Sequence, residues 1–428
     1  MRFWKYLGIV VGALLVAGVV SIGLKIADGK INTDEHQTAL DPFYTAPDPL
    51  PSTQPGYVIR YEPMPDLGWN LQNANAFRTL SISQAPDGTP RVTGGMVIFP
   101  NTASTTPRPV VAYAHGTSGF GDACAPSRNP GTPGEMPWVQ TMINNGWVVT
   151  TTDYVGLGTA GDPYYLIGKS EAADVVNSVR AARNIPGADA GTDYVVFGQS
   201  QGGHSALSVG EYSKQIAPEL TLKAVAATAP AAELGPLLDL QWNTLVGWAI
   251  GPDVLVSWPS VYPDIHPDTV LTQYGQKNYE QLAYMCLEDA GLKGVLETQL
   301  GNELFSQNPT GIPQFAAAIK EQTPKPLPAS LPLFVSTSVE DGIVLPSTSA
   351  LMQQKFCAAG SNLQFEWLGQ LATGSLAGPQ THQNTPLAAW PMIVNWIQER
   401  FADRPPTPNC GVTPPVKPAA EAAPPAAS

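Results

Sequence analysis

The run Val195-Val196-Phe197-Gly198-Gln199-Ser200-Gln201-Gly202-Gly203 constrains this chain most, because it reads as a strand turning directly into a helix with a serine at the corner. A serine there must take up a strained backbone. The glycines two residues to either side are needed because side chains at those positions would strike the adjoining strand and helix. Such a corner projects the hydroxyl past the carboxyl edge of a sheet and sets the positive end of a helix beneath developing negative charge. The bare pentapeptide arises often by chance. The strand before it and Gly203 behind it make Ser200 the candidate nucleophile.

The surroundings fit such a corner. Short β-branched runs alternate with helical patterns, the signature of a mostly parallel central sheet flanked by helices, here in the form of an α/β-hydrolase fold with a helical cap. Expected strands are Gly56–Tyr61, Phe77–Ser83, Val92–Phe99, Pro109–Ala114, Trp147–Thr152, Tyr194–Phe197, Leu222–Thr228, Leu331–Ser336 and Leu363–Trp367. The early ones lack helices between them and should pair antiparallel. The clearest helix is Ser170–Asn184, with Ser170 as its cap, Glu171 and Asp174 near its positive end, and an apolar stripe of Ala172, Val175, Val176 and Val179. A last helix is expected over Leu387–Phe401.

These patterns divide the chain. Residues 1–30 read as a signal peptide or membrane anchor, since Arg2 and Lys5 precede an apolar or small run from Tyr6 to Leu24. That run is about as long as a bilayer-spanning helix needs, and its nearest cleavage site, Val19-Val20-Ser21, is poor. Either form implies export, and an uncleaved one implies membrane association. Residues 31–55 read as a Pro-rich linker. The core comprises 56–233 and 326–403, and 404–428 is a Pro/Ala-rich tail expected to be disordered. Between the core halves, 234–325 breaks the alternation and carries Trp242, Trp248 and Trp258. It is read as a cap, its tryptophans either lining an apolar site or packing the insertion's own core.

Composition narrows the partners. A formal charge of -13 disfavours nucleic acid, and 43% hydrophobic with only 13% charged residues argues for a folded body. Cys124, Cys286, Cys357 and Cys410 are widely spaced, with no histidine at metal-ligand spacing, so neither zinc nor any other metal is expected. An even count behind an export signal favours two disulfides, for which sequence leaves three pairings. The expected pairs are Cys124–Cys286, tying the loop after the fourth strand to the cap, and Cys357–Cys410, tying the last strand region to the chain end.

A serine nucleophile needs a base, and in this fold the order is Ser, acid, His. Of the five histidines, His36 and His115 precede the serine, His204 lies one turn into its helix, and His266 lies in the cap. His382 alone fits, in a Gly- and Pro-flanked loop. The acid should follow Leu331–Ser336, where Asp341 is preferred to Glu340 because Asp-Gly-Ile-Val-Leu-Pro is like the acid-bearing turn of this fold. An oxyanion hole would combine the backbone N–H of Gln201 with one from Ala114-His115-Gly116-Thr117-Ser118-Gly119, from Thr117 in preference to Gly116. For His115, orienting that loop is the better reading.

Five blocks go beyond the corner: His115-Gly116-Thr117, Cys124-Ala125-Pro126-Ser127, Asp153-Tyr154-Val155-Gly156-Leu157-Gly158, Gly198 through His204, and Ala229-Pro230-Ala231-Ala232. Together they resemble the secretory lipase family, from about Phe43 to Cys410. The resemblance implies a capped α/β-hydrolase that cleaves medium- or long-chain acyl esters without a cofactor. By position it gives Ser200, Asp341 and His382 the triad roles. The Gly/Ala-rich stretch Gly369–Gln380 departs from the pattern and loosens the placement of His382. Competing readings are an acyltransferase or peptidase on the same scaffold, an esterase of short or polar esters, or a binding module that keeps the fold.

Overall fold

A computed structural model describes residues 35–421 except 65–66, 68, 130–135 and 137. Nine strands form one sheet: β1 (Val58–Pro63), β2 (Ala74–Gln84), β3 (Pro90–Pro100), β4 (Arg108–Ala114), β5 (Val148–Thr152), β6 (Ala190–Gln199), β7 (Thr221–Thr228), β8 (Leu333–Ser338) and β9 (Leu363–Leu368). Their spatial order is β1-β2-β3-β5-β4-β6-β7-β8-β9. Each expected strand lies where its β-branched run placed it. The pairs β1/β2, β2/β3 and β3/β5 are antiparallel and the rest parallel, as the lack of early crossover helices required. The central strands are buried on both faces and read as continuous apolar runs for that reason.

Residues 35–44 form a helix, α1, in a unit of its own. It replaces part of the expected linker, and most of that linker's prolines follow its end. The remaining helices are α2 (Val139–Asn144), α3 (Gly168–Ala182), α4 (Gln201–Ile216), α5 (Leu234–Gln241), α6 (Leu245–Ser257), α7 (Gln273–Ala283), α8 (Leu287–Gln299), α9 (Pro313–Gln322), α10 (Pro346–Ala358) and α11 (Ala377–Phe401). One large core cluster joins the α3 stripe of Ala172, Val175, Val176 and Val179 to β4, β6 and α4. Helices α5 to α9 all fall between β7 and β8, the span read as an insertion. Trp242, Trp248 and Trp258 are buried there in a cluster that joins Phe305, Phe315 and Ile319 to Phe120 and Tyr165, so they pack the insertion and its contact with the preceding segment.

Three local expectations need correcting. Helix α3 starts at Gly168, two residues early, and Ser170 is buried in its first turn with no capping bond, its hydroxyl directed at the Gln84 carbonyl instead. The tail is ordered through Glu421. Asn409 bonds both the N–H and the carbonyl of Phe365 at 2.7 and 2.9 Å, Gln353 reaches the Val412 carbonyl, and Ala419 donates to Ser347. A Pro/Ala segment has little to pack by itself, but β9 is an edge strand whose open backbone groups accept it. The third correction is α11, which begins ten residues before the expected Leu387. Among the described residues no helix is long and apolar enough to cross a membrane. The proposed signal or anchor lies outside the described residues.

Candidate active site

The nucleophile corner is built from the sheet outward. Ser200 has φ +58° and ψ -117°, a region most residues avoid, and it is held there from three sides. Its N–H donates to the Thr228 carbonyl at the end of β7, and its carbonyl accepts from Ala231 and His204. A Cβ on Gly198 would stand 1.9 Å from the Gly202 carbonyl, and one on Gly202 would stand 1.9 Å from the Ala114 carbonyl at the end of β4. Helix and strands approach so closely that both positions must be glycine.

At the carboxyl end of β8, Asp341 is buried and Glu340 exposed. Asp341 Oδ1 accepts from the N–H groups of Ile343 and Val344 at 2.8 and 3.0 Å, and Oδ2 lies 2.8 Å from His382 Nδ1. One oxygen anchors the acid while the other meets the imidazole, an arrangement that orients the ring.

His382 sits in the first turns of α11 and not in a loop; Pro386, which reads from sequence as the boundary before Leu387, lies inside that helix, as does Pro391. Pro386 has no N–H to offer the carbonyl four residues back, which belongs to His382. Gln199 Nε2 takes up that carbonyl at 3.1 Å. The residue preceding Ser200 thus grips the residue bearing the imidazole. Sequence reasoning missed Gln199 and Pro386; the spacing of His382 and Pro386 was the available signal.

The loop after β4 lies against this corner: a Cβ on Gly116 would come within 3.6 Å of Ser200 Cβ. His115 Nδ1 is 2.7 Å from the Gly116 carbonyl and Nε2 is 3.4 Å from that of Asp153, and burial holds its pKa below the usual histidine range. Thr117 Oγ1 pairs with the Tyr165 hydroxyl at 2.7 Å. Beyond Thr117 the insertion takes over the loop. Leu287 N–H donates to Ser118, Phe120 N–H donates to Ala283, and Cys124 is disulfide-bonded to Cys286. The other disulfide joins Cys357 to Cys410.

Beneath Gln201 lies a charged network that the sequence did not reveal. Glu171, expected near the positive end of the helix, is fully buried. Its Oε1 accepts from Gln201 Nε2 and Leu166 N–H at 2.9 and 3.0 Å, and its Oε2 meets His204 Nδ1 at 2.6 Å and accepts from Ser205 at 2.9 Å. Burial alone would lower the His204 pKa, but the Glu171 charge and the bonds to Glu171 and the Gln322 carbonyl outweigh it and raise it. His204 is therefore a structural group carried away from the corner. The side chain of Gln201 is pinned by Glu171 while its backbone N–H opens α4. Among the described residues no group of three or more His, Cys, Asp or Glu could hold a metal.

The residue pattern of a family described as secretory lipase matches residues 130–409, well over half of the chain. Lipase 9 of Candida albicans is 23% identical over 401 residues, covering 87% of this chain and 84% of the relative. A Mycobacterium tuberculosis protein named a probable inactive lipase is 23% identical over 399 residues, covering 85% and 82%. In three dimensions, a ligand-bound form of a rice cell wall degrading esterase from Xanthomonas oryzae matches with a TM-score of 0.68 at 19% identity, over 80% of this chain and 99% of that one. At that identity the likeness is one of fold, and the fold is that of the α/β-hydrolases.

Proposed function

The chain belongs to the secretory lipase family, and from that premise we propose that it is an exported serine hydrolase of lipid esters that works through Ser200, His382 and Asp341. The observation that carries this reading is the 2.8 Å bond between His382 Nδ1 and Asp341 Oδ2, on a histidine whose carbonyl is gripped by the neighbour of Ser200. Lipid ester hydrolysis itself agrees with the family and with the lipases and esterases among its relatives.

In this mechanism Ser200 Oγ attacks the ester carbonyl as His382 Nε2 takes its proton, and Asp341 stabilises the imidazolium. The oxygen that becomes negative is met by the N–H groups of Gln201 and Thr117. His382 then passes the proton to the departing alcohol, leaving an acyl-serine. Water, deprotonated by the same imidazole, releases the acid and restores the serine. Every group required is on the chain, so the proposal invokes no cofactor.

Two disulfides support an oxidising compartment outside the cytoplasm. The span 234–325 is proposed as a cap over the site, with core segments 56–233 and 326–403 beneath it. Its position between β7 and β8, where Gln241 Nε2 bonds the carbonyls of Gly342 and Ile343 beside the acid, supports this. A nitrophenyl-ester series from acetate to dodecanoate, run beside an amide, tests the reading, with fluorophosphonate labelling of Ser200 as its companion. The expected result is a specificity constant that rises with chain length, with little amide cleavage. Activity that falls steadily from acetate would replace a lipase with an esterase of short esters, and a failure to label would remove the serine mechanism, which a relative named as inactive makes worth checking.

A further inference from the structure

Asp253 has no role in the reaction above and no visible means of support. It lies on α6 with 1% of its surface exposed, and its Oδ2 has no protein partner. An isolated buried carboxylate is strongly disfavoured, so such a group keeps its proton, meets a water, or does both. Burial, with nothing to offset it, pushes the Asp253 carboxyl well above the usual carboxylate range. Such a shift favours the protonated form, which can donate. The hydroxyl of Ser118 shares its predicament, being buried without a protein partner.

Both residues line one cavity of about 20 Å³, whose wall includes Thr117, Tyr165 and Gln201. One water needs roughly 10–15 Å³ and two to four polar partners, so this cavity suits a single molecule. We propose that a water occupies it and bridges the Asp253 carboxyl to the Ser118 hydroxyl, making Asp253 a positioning residue for the loop that carries Thr117.

The surroundings suit that task. Ser118 follows Thr117 directly, and its carbonyl is already fixed by the Leu287 N–H at 2.9 Å. Holding its hydroxyl as well leaves the Thr117 peptide little freedom to turn. The helix bearing Asp253 is itself fastened to the facing wall. One turn on, Ser257 Oγ accepts from Tyr165 N–H, and Trp258 Nε1 donates to the Tyr165 carbonyl, both at 3.1 Å. The Tyr165 hydroxyl in turn holds Thr117 Oγ1. The titratable groups across the cavity are Asp174, pushed up to about 7 by burial, and the phenols Tyr154, Tyr164 and Tyr165. No cation lines it among the described residues, so the neutral acid is the form this wall accommodates. A protonated carboxyl of this kind donates where a carboxylate could only accept.

This inference rests on reading Thr117 as an oxyanion donor. Its test is kcat and KM on a soluble nitrophenyl ester for the full chain carrying Asp253→Leu, Asp253→Asn or Ser118→Ala, together with infrared difference spectra of the native protein against Asp253→Asn. Asp253→Leu should lower kcat ~10-fold with KM nearly unchanged, less than the ~10²-fold that follows outright loss of an oxyanion donor. The isosteric neutral Asp253→Asn should restore most of that loss, and Ser118→Ala should cost about threefold, since it removes one water partner of several. The infrared spectrum should contain the carbonyl stretch of a protonated buried acid that disappears in Asp253→Asn. Native kcat in Asp253→Leu overturns the proposal. So does absence of the protonated-acid band, which requires only that the native protein and the asparagine variant fold. If Ser200→Ala stayed active while the band held, the proposed function would fail and with it the catalytic role of the Thr117 loop, while the buried neutral acid would stand, so the two failures are distinguishable.

Discussion

The two halves of the candidate site are held by different parts of the molecule. Ser200, Asp341 and His382 stand at the ends of β6, β8 and the start of α11, and they are fixed mainly by the sheet, its neighbouring turns and the Gln199 side chain, with Gln241 of the insertion bonding the turn beside the acid. The Thr117 loop leaves β4 but is held from behind by the insertion, through Leu287, Ala283, the Cys124–Cys286 bond and Tyr165. A core that folds as one sheet can present the attacking groups. The proposed oxyanion donor Thr117 lies in a loop held from residues 234–325.

The largest expected effect lies wholly on the sheet side. Ser200→Ala should cost on the order of 10⁴-fold or more in kcat while far-UV spectra and the thermal midpoint stay native. Residual turnover near native would move the nucleophile elsewhere.

Next in size, Asp341→Asn should lower kcat by ~10³-fold or more, because the amide would present the wrong partner to His382 Nδ1. Glu340→Gln, on an exposed neighbour, should change it less than twofold, within the ordinary range for a surface substitution. Equal losses would transfer the role to Glu340.

The disulfides sharpen the contrast directly. Removing either should cost ~2–5 kcal/mol of stability, somewhat more for Cys124–Cys286, which closes 162 residues against 53 for Cys357–Cys410. Only the first should also lower kcat at temperatures where both variants remain folded, since it alone touches the Thr117 loop. If Cys357→Ser and Cys286→Ser slowed turnover alike, the idea of separate supports would collapse.

Buried acids set a pH dependence with a definite sign. Burial raises Asp153 to about 6 and Asp174 to about 7, both above the ordinary 3.8, with bonds to Ser127 and Ser83 offsetting part of it. A carboxyl whose folded pKa is raised binds its proton more tightly when folded. Its contribution is fully present below 3.8 and is lost as pH rises through about 6 and 7. His204, also raised, acts in the same direction. Calorimetry should therefore find a lower thermal midpoint at pH 8 than at pH 5, a difference that Asp174→Asn should reduce. A midpoint that climbed with pH over this window would contradict the burial argument.

The smallest effect belongs to Trp258→Phe. It keeps most of the packing but removes the bond to the Tyr165 carbonyl, which should cost ~1 kcal/mol of stability and leave kcat within a few-fold of native.

What the sequence determined by itself was whatever depends on near neighbours. The nine strands follow from runs of β-branched residues. The corner at Ser200 follows from glycines at fixed offsets, and the chain order of serine, acid and histidine left His382 as the one candidate. The strands and the corner are local patterns with local steric causes, and the chain order is a rule of the fold that the corner identifies. Burial partners are not local, and there the sequence was silent or misleading. Glu171 read only as a carboxylate near a positive helix end, and its partner His204 lies 33 positions on. Pro386 looked like a helix boundary, yet inside α11 it releases the carbonyl that Gln199 takes from 183 positions away. The Pro/Ala tail had nothing to pack against until β9 offered it an edge. Asp253 is an ordinary acid in sequence, and only the packing around α6 buried its carboxyl and pushed it well above the usual carboxylate range. Tertiary structure decided these cases because desolvation depends on what the rest of the chain brings near, and a residue's own neighbours carry no record of that.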